Sequence, residues 1–150
     1  MPEILDTPLG RVAVETSGPL VKEVHLGARR GNTDRPRTSV ARDLARYFSG
    51  EVVNFDDYEV DLTGYTDFQR RVYEATRAIP PGEVRTYGEI ARAIGNPGAS
   101  RAVGNALGRN PACIVIPCHR VVAANGGLGG FTSGLRWKRD LLHFEGSDTP

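Results

Sequence analysis

Two helix-start signals, Thr66-Asp67-Phe68-Gln69 and Thr86-Tyr87-Gly88-Glu89, constrain the second half of this chain more than any other feature of its sequence. In each, a threonine hydroxyl can accept from the backbone N–H three residues on, while the Gln or Glu side chain there reaches back to the threonine N–H. The first predicted helix runs through Arg77 with Phe68, Val72 and Ala75 on one face, and Ile79-Pro80-Pro81-Gly82 ends it. The second carries Ile90, Ala91 and Ile94 and is stopped by Gly95. Asn96-Pro97 reads as a cap and first-turn pair opening a third helix through Arg101, Ala102, Val103 and Leu107. Two short helices joined by a Gly-Asn-Pro-Gly turn have the pattern of a helix-turn-helix over about residues 86–109, with residues 99–109 as candidate recognition helix. Two packed helices with no nucleic-acid role have the same pattern.

The first sixty residues read differently. Short apolar runs at Val12-Ala13-Val14, 21–26, 52–55 and 58–62 alternate with breakers and predict strands. Between them, residues 39–48 place Val40, Leu44, Tyr47 and Phe48 at helical spacing, closed by Ser49-Gly50. Residues 28–38, rich in Arg and Thr with Gly31 and Pro36, predict a loop. The expectation is an α+β protein: a small N-terminal α/β domain with an antiparallel sheet over residues 1–62, then a mainly helical domain over 63–150 that carries the helix-turn-helix and the reactive residues.

Charge divides at the same place. Residues 1–62 hold 8 Lys/Arg against 11 Asp/Glu, and residues 63–150 hold 11 against 7, so the second half is the better candidate for a polyanion partner. Only Lys22 and Lys138 are lysines, which leaves guanidinium as the main cation. No apolar run is long enough to span a bilayer, and the N-terminal residues lack a secretory pattern, so a cytoplasmic protein is expected, nucleoid-associated in a prokaryote. Two cysteines, Cys113 and Cys118, read as reduced thiols, and with His25, His119 and His143 they give no zinc-finger spacing. No metal site is expected.

The chemistry concentrates after Asn110-Pro111, where residues 112–122 read as a buried strand entering a rigid turn. Cys113, between Ala112 and Ile114, reads as a small buried hydrophobe. Cys118 stands apart, because Pro117 fixes its own φ and restricts Ile116, presenting the thiol at a defined angle. A reactive thiol needs a base or a positive field, and His119 and Arg120 offer both residue types. On an extended strand neighbours point apart, so His119 would reach the thiol across a bend or through a water. Glu145 is the acid best placed by order and context to orient the imidazole, among seven acids in this half. The glycine-rich stretch Asn125-Gly126-Gly127-Leu128-Gly129-Gly130-Phe131-Thr132-Ser133-Gly134 is not a phosphate loop. It would let backbone approach a planar ligand with Phe131 as cover, or serve as a plain connection to a helix over 135–144.

Pro117-Cys118-His119-Arg120 resembles the active-site signature of the O6-alkylguanine-DNA alkyltransferases, the methylated-DNA–protein-cysteine methyltransferases. The likeness runs in order from residue 68 to residue 146, through Ile79-Pro80-Pro81-Gly82, Thr86-Tyr87, Ser100-Arg101-Ala102-Val103-Gly104, Asn110-Pro111, the glycine stretch and Glu145-Gly146. It implies repair of double-stranded DNA containing O6-alkylguanine, with O4-alkylthymine as a further candidate lesion. The alkyl group passes irreversibly to Cys118 in a single turnover, by a monomer, with no cofactor and no membrane. In the family the recognition helix enters the minor groove and the lesion is flipped out. That implies Arg101 filling the space left by the base, Ala102 beside it on the groove-facing helix, and Tyr87 helping to turn the nucleotide out. The resemblance further implies a relay from Cys118 through His119 and water to Glu145, with Asn110 buttressing the turn. Val121 and the Cys118 backbone would receive the exocyclic amine, and Tyr87, Phe131 and Thr132 would face the base. Phe131 stands where many members have tyrosine, so that hydroxyl is lost. Read from residue types alone, a Cys-His-Glu hydrolase and a lesion-sensing DNA-binding protein also remain open.

Overall fold

The computed structural model describes residues 2–28, 31, 33 and 35–147. The chain is α+β and forms two compact units, one made of Met1–Leu62 with Pro111–Val115, the other of Thr63–Asn110 with Ile116–Pro150. The segment just before Ile116-Pro117-Cys118 thus belongs with the first unit, where the bridge Val24↔Ala112 and the bond from Cys113 N–H to Val24 O (3.3 Å) attach it.

In the first unit, β1 (Glu3–Thr7), β2 (Gly10–Ser17) and β3 (Leu20–Leu26) form an antiparallel sheet in sequential order. Leu5, Val12 and Val14 alternate onto its buried face, as period-2 burial requires. On β3 the buried valines are three apart, Val21 and Val24, because the register shifts between Glu15 and Thr16; the extra residue returns both side chains to one face. Helix α1 (Ser39–Phe48) covers that sheet with Val40, Ala41, Leu44, Tyr47 and Phe48. Its N-cap Thr38 accepts from Ala41 N–H (3.3 Å) and donates to the buried Glu3 carboxylate (2.7 Å).

Two strand expectations fail here and one strand was missed. Residues 52–55 and 58–62 form no strand; Val52 is 93 % exposed, and only Val60 bridges to Val21. The Asn54 side chain accepts from Asp56 N–H (2.8 Å), a local turn that competes with any ladder. Strand β1 escaped notice because its apolar residues are few. Of the predicted loop over 28–38, residues 29, 30, 32 and 34 lie outside the described residues.

In the second unit both capping boxes are formed as the sequence predicts. Helix α2 (Asp67–Arg77) starts from Thr66 and α3 (Tyr87–Ala93) from Thr86. Helix α2 turns Val72, Tyr73 and Thr76 inward, about a residue round from the expected face; Tyr73 brings its hydroxyl in by donating to Ala106 O (2.6 Å). Helix α4 (Ser100–Gly108) pairs with α3 as a helix-turn-helix and buries Val103, Ala106 and Leu107. Asn96-Pro97 does not cap α4. Ala99 N–H bonds Asn96 O (2.9 Å), which closes a turn first, and the helix starts at Ser100 with no side-chain cap. A two-residue parallel pairing of β4 (Arg85–Thr86) with β5 (Val121–Val122) then fixes the start of α3 beside the segment that follows Cys118. Helix α5 (Leu135–Phe144) closes the unit with Lys138, Leu141 and Leu142 facing in.

Candidate active site

The predicted buried strand ahead of Cys118 does not form, and the rigid turn expected at Pro117 is there as two tight turns. Pro117 sits at φ −79° and ψ 63° with Cys118 N–H on Ile116 O at 2.7 Å, an inverse γ-turn, and Cys118–Arg120 continue as one turn of 3₁₀ helix. Ile116 O also receives the Asn110 side-chain amide (2.8 Å), so Asn110 fixes the turn from the end of α4. Cys118 itself is buried and not disulfide-bonded.

This curl brings His119 and Arg120 onto Glu145. His119 Nε2 lies 2.9 Å from Glu145 Oε2, while Arg120 donates from Nε to Oε1 (2.9 Å), from Nη2 to Oε2 (2.7 Å) and from Nη1 to Ile79 O (2.7 Å). The Ile79-Pro80-Pro81-Gly82 segment thereby serves the site as well as ending α2. Burial alone would raise the Glu145 carboxyl, but the hydrogen bonds from Arg120 and His119 hold it well below the usual carboxylate range. An ionised carboxylate only accepts, so the proton of the His119 ring is on Nε2 and Nδ1 is the basic nitrogen. Burial keeps that imidazole below its ordinary value, outweighing the pull of Glu145, whose charge Arg120 offsets. His119 Nδ1 is buried with no hydrogen-bond partner among the described residues. Arg120, expected to lend a positive field to the thiol, instead has its guanidinium engaged by Glu145 and Ile79.

A second cluster gathers round Tyr87, the first residue of α3. Its ring lies under the glycine loop, where Gly129 has φ +74° and a Cβ built on it would fall 2.7 Å from Tyr87 Cε2. The Tyr87 hydroxyl points to Gly130 O at 3.5 Å, and burial raises its pKa. Fully buried Lys138 donates to Gly130 O (3.0 Å) and to the Tyr87 hydroxyl (3.4 Å), with Nζ 5.6 Å from the Tyr87 ring centre and 5.8 Å from that of Phe131. Sequence reasoning assigned Lys138 nothing. The signal was there: it shares a helical face with Leu141 and Leu142, a position where lysine is out of character.

The remaining candidates spread over the unit. Thr132 donates its hydroxyl to Gly108 O (2.9 Å), tying the glycine loop to the end of α4. Val121 is wholly buried in β5. Arg101 and Ala102 are exposed in the first turn of α4, opposite its buried face. Among the described residues no group of three or more His, Cys, Asp or Glu could hold a metal ion. A buried thiol, a neighbouring imidazole with one basic nitrogen, and an exposed helix with arginine at its start suit nucleophilic chemistry on a nucleic acid.

Comparison with known proteins agrees. Residues 67–147 match the family described as 6-O-methylguanine DNA methyltransferase, DNA binding domain. The chain is 47% identical over 146 residues to the methylated-DNA–protein-cysteine methyltransferase of Mycolicibacterium paratuberculosis, covering 96% of this chain and 87% of that one. The protein of that name from Methanosarcina acetivorans is 55% identical over 107 residues, covering 71% and 67%. The crystal structure of Mycobacterium tuberculosis OGT in complex with DNA is similar with a TM-score of 0.84 at 41% identity, covering 99% of this chain and 94% of that one. O6-methylguanine-DNA methyltransferase from Pyrococcus kodakaraensis gives 0.78 at 27% identity, over 97% and 99%. This chain therefore belongs to the 6-O-methylguanine DNA methyltransferase family.

Proposed function

We propose that the protein repairs DNA by moving the alkyl group of O6-alkylguanine onto Cys118, once per molecule. The observation that carries this reading is the His119 ring, which has Nε2 held by Glu145 and a buried Nδ1 that no described residue engages, one residue from the buried thiol. The thiol proton passes to Nδ1, directly or through one water. The thiolate attacks the alkyl carbon; the S–C bond forms as the C–O6 bond breaks, and guanine departs with that electron pair and takes a proton. Tyr87 donates to the ring nitrogen during departure. The thioether has no route back, so repair is stoichiometric.

Asn110 keeps the turn rigid through Ile116 O, which holds the sulfur for attack. The backbone of Cys118 and Val121 receives the exocyclic amine, and Phe131 and Thr132 border the base. Arg101 and Ala102 work on the duplex: the small Ala102 lets α4 approach the minor groove, and Arg101 fills the stack when the lesion is flipped. One chain suffices. A nucleophile that must remain a thiol and a substrate that is DNA both suit the cytoplasm, at the nucleoid of a prokaryote. No helix among the described residues is long and apolar enough to cross a membrane.

Incubation with a duplex containing O6-methylguanine, followed by peptide mass analysis, tests the reading. One methyl group on Cys118, lost in Cys118→Ala, is expected. Turnover beyond one equivalent would favour a hydrolase, and tight lesion binding without a mass change would favour a sensor.

A further inference from the structure

A buried lysine ammonium with only a carbonyl, a hydroxyl and two rings for company is an expensive thing to keep on the inner face of α5. Lys138 is wholly buried beside Leu141 and Leu142, where a leucine or methionine would pack without desolvating a charge. No carboxylate of the described residues pairs with it; its contacts are Gly130 O, the Tyr87 hydroxyl, and the Tyr87 and Phe131 rings.

The polarity of those contacts is fixed by the groups themselves. An ammonium has three donors and no acceptor, whereas a phenol has one donor and two acceptor positions. The contact between Lys138 Nζ and the Tyr87 oxygen, long at 3.4 Å, can therefore run only one way, from lysine to tyrosine. With an acceptor position of Tyr87 so occupied, its own proton must point elsewhere. The acceptor within reach is Gly130 O, 3.5 Å away and already receiving Lys138 at 3.0 Å. A carbonyl can receive both, so the phenol proton goes to Gly130 O over a long bond that an incoming base nitrogen can replace.

We propose that Lys138 is a positioning residue for alkyl transfer: its ammonium, held by Gly130 O and donating to the Tyr87 oxygen, obliges Tyr87 to present its hydroxyl as a donor to the flipped base. This rests on the role given to Tyr87 above. It fits the glycine at 129, since a Cβ there would overlap the Tyr87 hydroxyl and ring that Lys138 holds.

The ammonium is the working form. Burial, partly opposed by a negative charge on Cys118, brings Lys138 down to about 8. The titratable groups that bear on it are Tyr87 from α3, whose pKa is raised by burial, and Cys118 and His119 from the 3₁₀ turn; the His119 imidazole is lowered partly by Lys138, and Arg120 and Glu145 behind it neutralise each other. Transfer should therefore fall off above about pH 8 and do so through Tyr87.

The test uses free O6-benzylguanine, which needs no flipping, and reads single-turnover mass gain on Cys118. Lys138→Met in the otherwise intact chain is expected to slow transfer roughly tenfold at neutral pH, the scale of a lost charge-assisted hydrogen bond. In a Tyr87→Phe background the same change should cost less than about twofold, because the group it acts through is gone. The alkaline fall should be present in the unaltered protein and absent in Tyr87→Phe, a comparison that holds even if Lys138→Met does not fold. Equal losses in both backgrounds, or an alkaline fall that persists in Tyr87→Phe, would overturn the proposal while leaving alkyl transfer intact. A wild-type protein that gains no mass on Cys118 would overturn the functional reading itself, and this inference with it.

Discussion

The Glu145 carboxylate meets His119 at Nε2, 2.9 Å away, and is itself gripped at both oxygens by Arg120. The pair leaves the imidazole one basic nitrogen, Nδ1, and fixes where it lies. Glu145→Gln removes the charge that assigns the tautomer and strands the Arg120 guanidinium, whose side chain is only 8 % exposed. Alkyl transfer is expected to slow by about 100-fold, the range of positioned general-base catalysis. Stability should drop by about 3 kcal/mol, as when a buried pair loses one partner. Single-turnover kinetics and urea unfolding measure the two separately; an unchanged rate would remove His119 from the reaction.

The same pair sets the response to acid. His119 in the fold lies below its ordinary value of 6.5, so as pH falls the unfolded chain takes up this proton first. The stability it lends is complete above 6.5 and is lost as pH drops towards the folded value. Glu145, held below 4.5, adds a second loss that begins near 4.5. Unfolding free energy should therefore decline from pH 7 to 5 and again below 4.5. Urea titrations across that range check it, and a protein more stable at pH 5 than at pH 7 would contradict the depressed imidazole.

Glu3 plays a comparable structural part in the first unit. Its buried carboxylate receives Arg37 N–H (2.6 Å), Thr38 N–H (3.2 Å) and the Thr38 hydroxyl (2.7 Å). Burial would raise its pKa, yet those bonds hold it below the ordinary value. Glu3→Gln is expected to cost about 1–3 kcal/mol, because an amide cannot accept from all three donors. The Glu3 contribution is present above pH 4.5 and lost below, so the melting gap between variant and wild type should narrow in acid.

Elements with their own punctuation were legible in the sequence. Thr66 and Thr86 cap helices because the reciprocal Gln69 and Glu89 lie three residues on, a local rule that tertiary packing had no reason to override. The contact of His119 with Glu145 was expected from order and context, but the backbone route to it was not. It depends on the inverse γ-turn at Pro117 and on a 3₁₀ turn that brings two consecutive side chains onto one carboxylate, whereas an extended strand would have parted them. The redirection of Arg120 from the thiol to Glu145 follows from the same curl. Residues 52–62 misled because apolar content suggests a strand, while Asn54 and the following Asp56-Asp57 close a turn. Lys138 was hidden by its type: nothing in a lone lysine states which face of a helix is buried until Leu141 and Leu142 are placed.

Gly129 offers a test of the proposed role of Tyr87 that leaves the titrating groups untouched. At φ +74° an alanine is strained, by about 1 kcal/mol, and its Cβ would overlap the Tyr87 hydroxyl. The loop must lift or the phenol must turn. Gly129→Ala should lower the rate of transfer from O6-benzylguanine by tenfold or more, roughly 1.4 kcal/mol in the barrier, while melting shifts only a few degrees. Gly126→Ala, also at positive φ but in open space, is the control and should show the strain without the rate loss.

Arg101 allows the duplex step to be separated from the alkyl transfer. It is exposed in the first turn of α4, on the face opposite Val103, Ala106 and Leu107. If it fills the stack left by a flipped base, Arg101→Ala should slow repair of O6-methylguanine in duplex by roughly ten- to hundredfold, since the few kcal/mol of unstacking then goes uncompensated. Transfer from free O6-benzylguanine should change by less than about twofold. A phosphate contact would look different: the slope of log affinity against log salt would fall by about 0.9, and binding would weaken on every sequence alike. Stack filling predicts a nearly constant salt slope and a deficit that shrinks when the lesion sits in a mismatch or a single strand, where less stacking has to be broken. A deficit of equal size on duplex and free base would mean that Arg101 supports the fold of α4 and has no part in extruding the nucleotide.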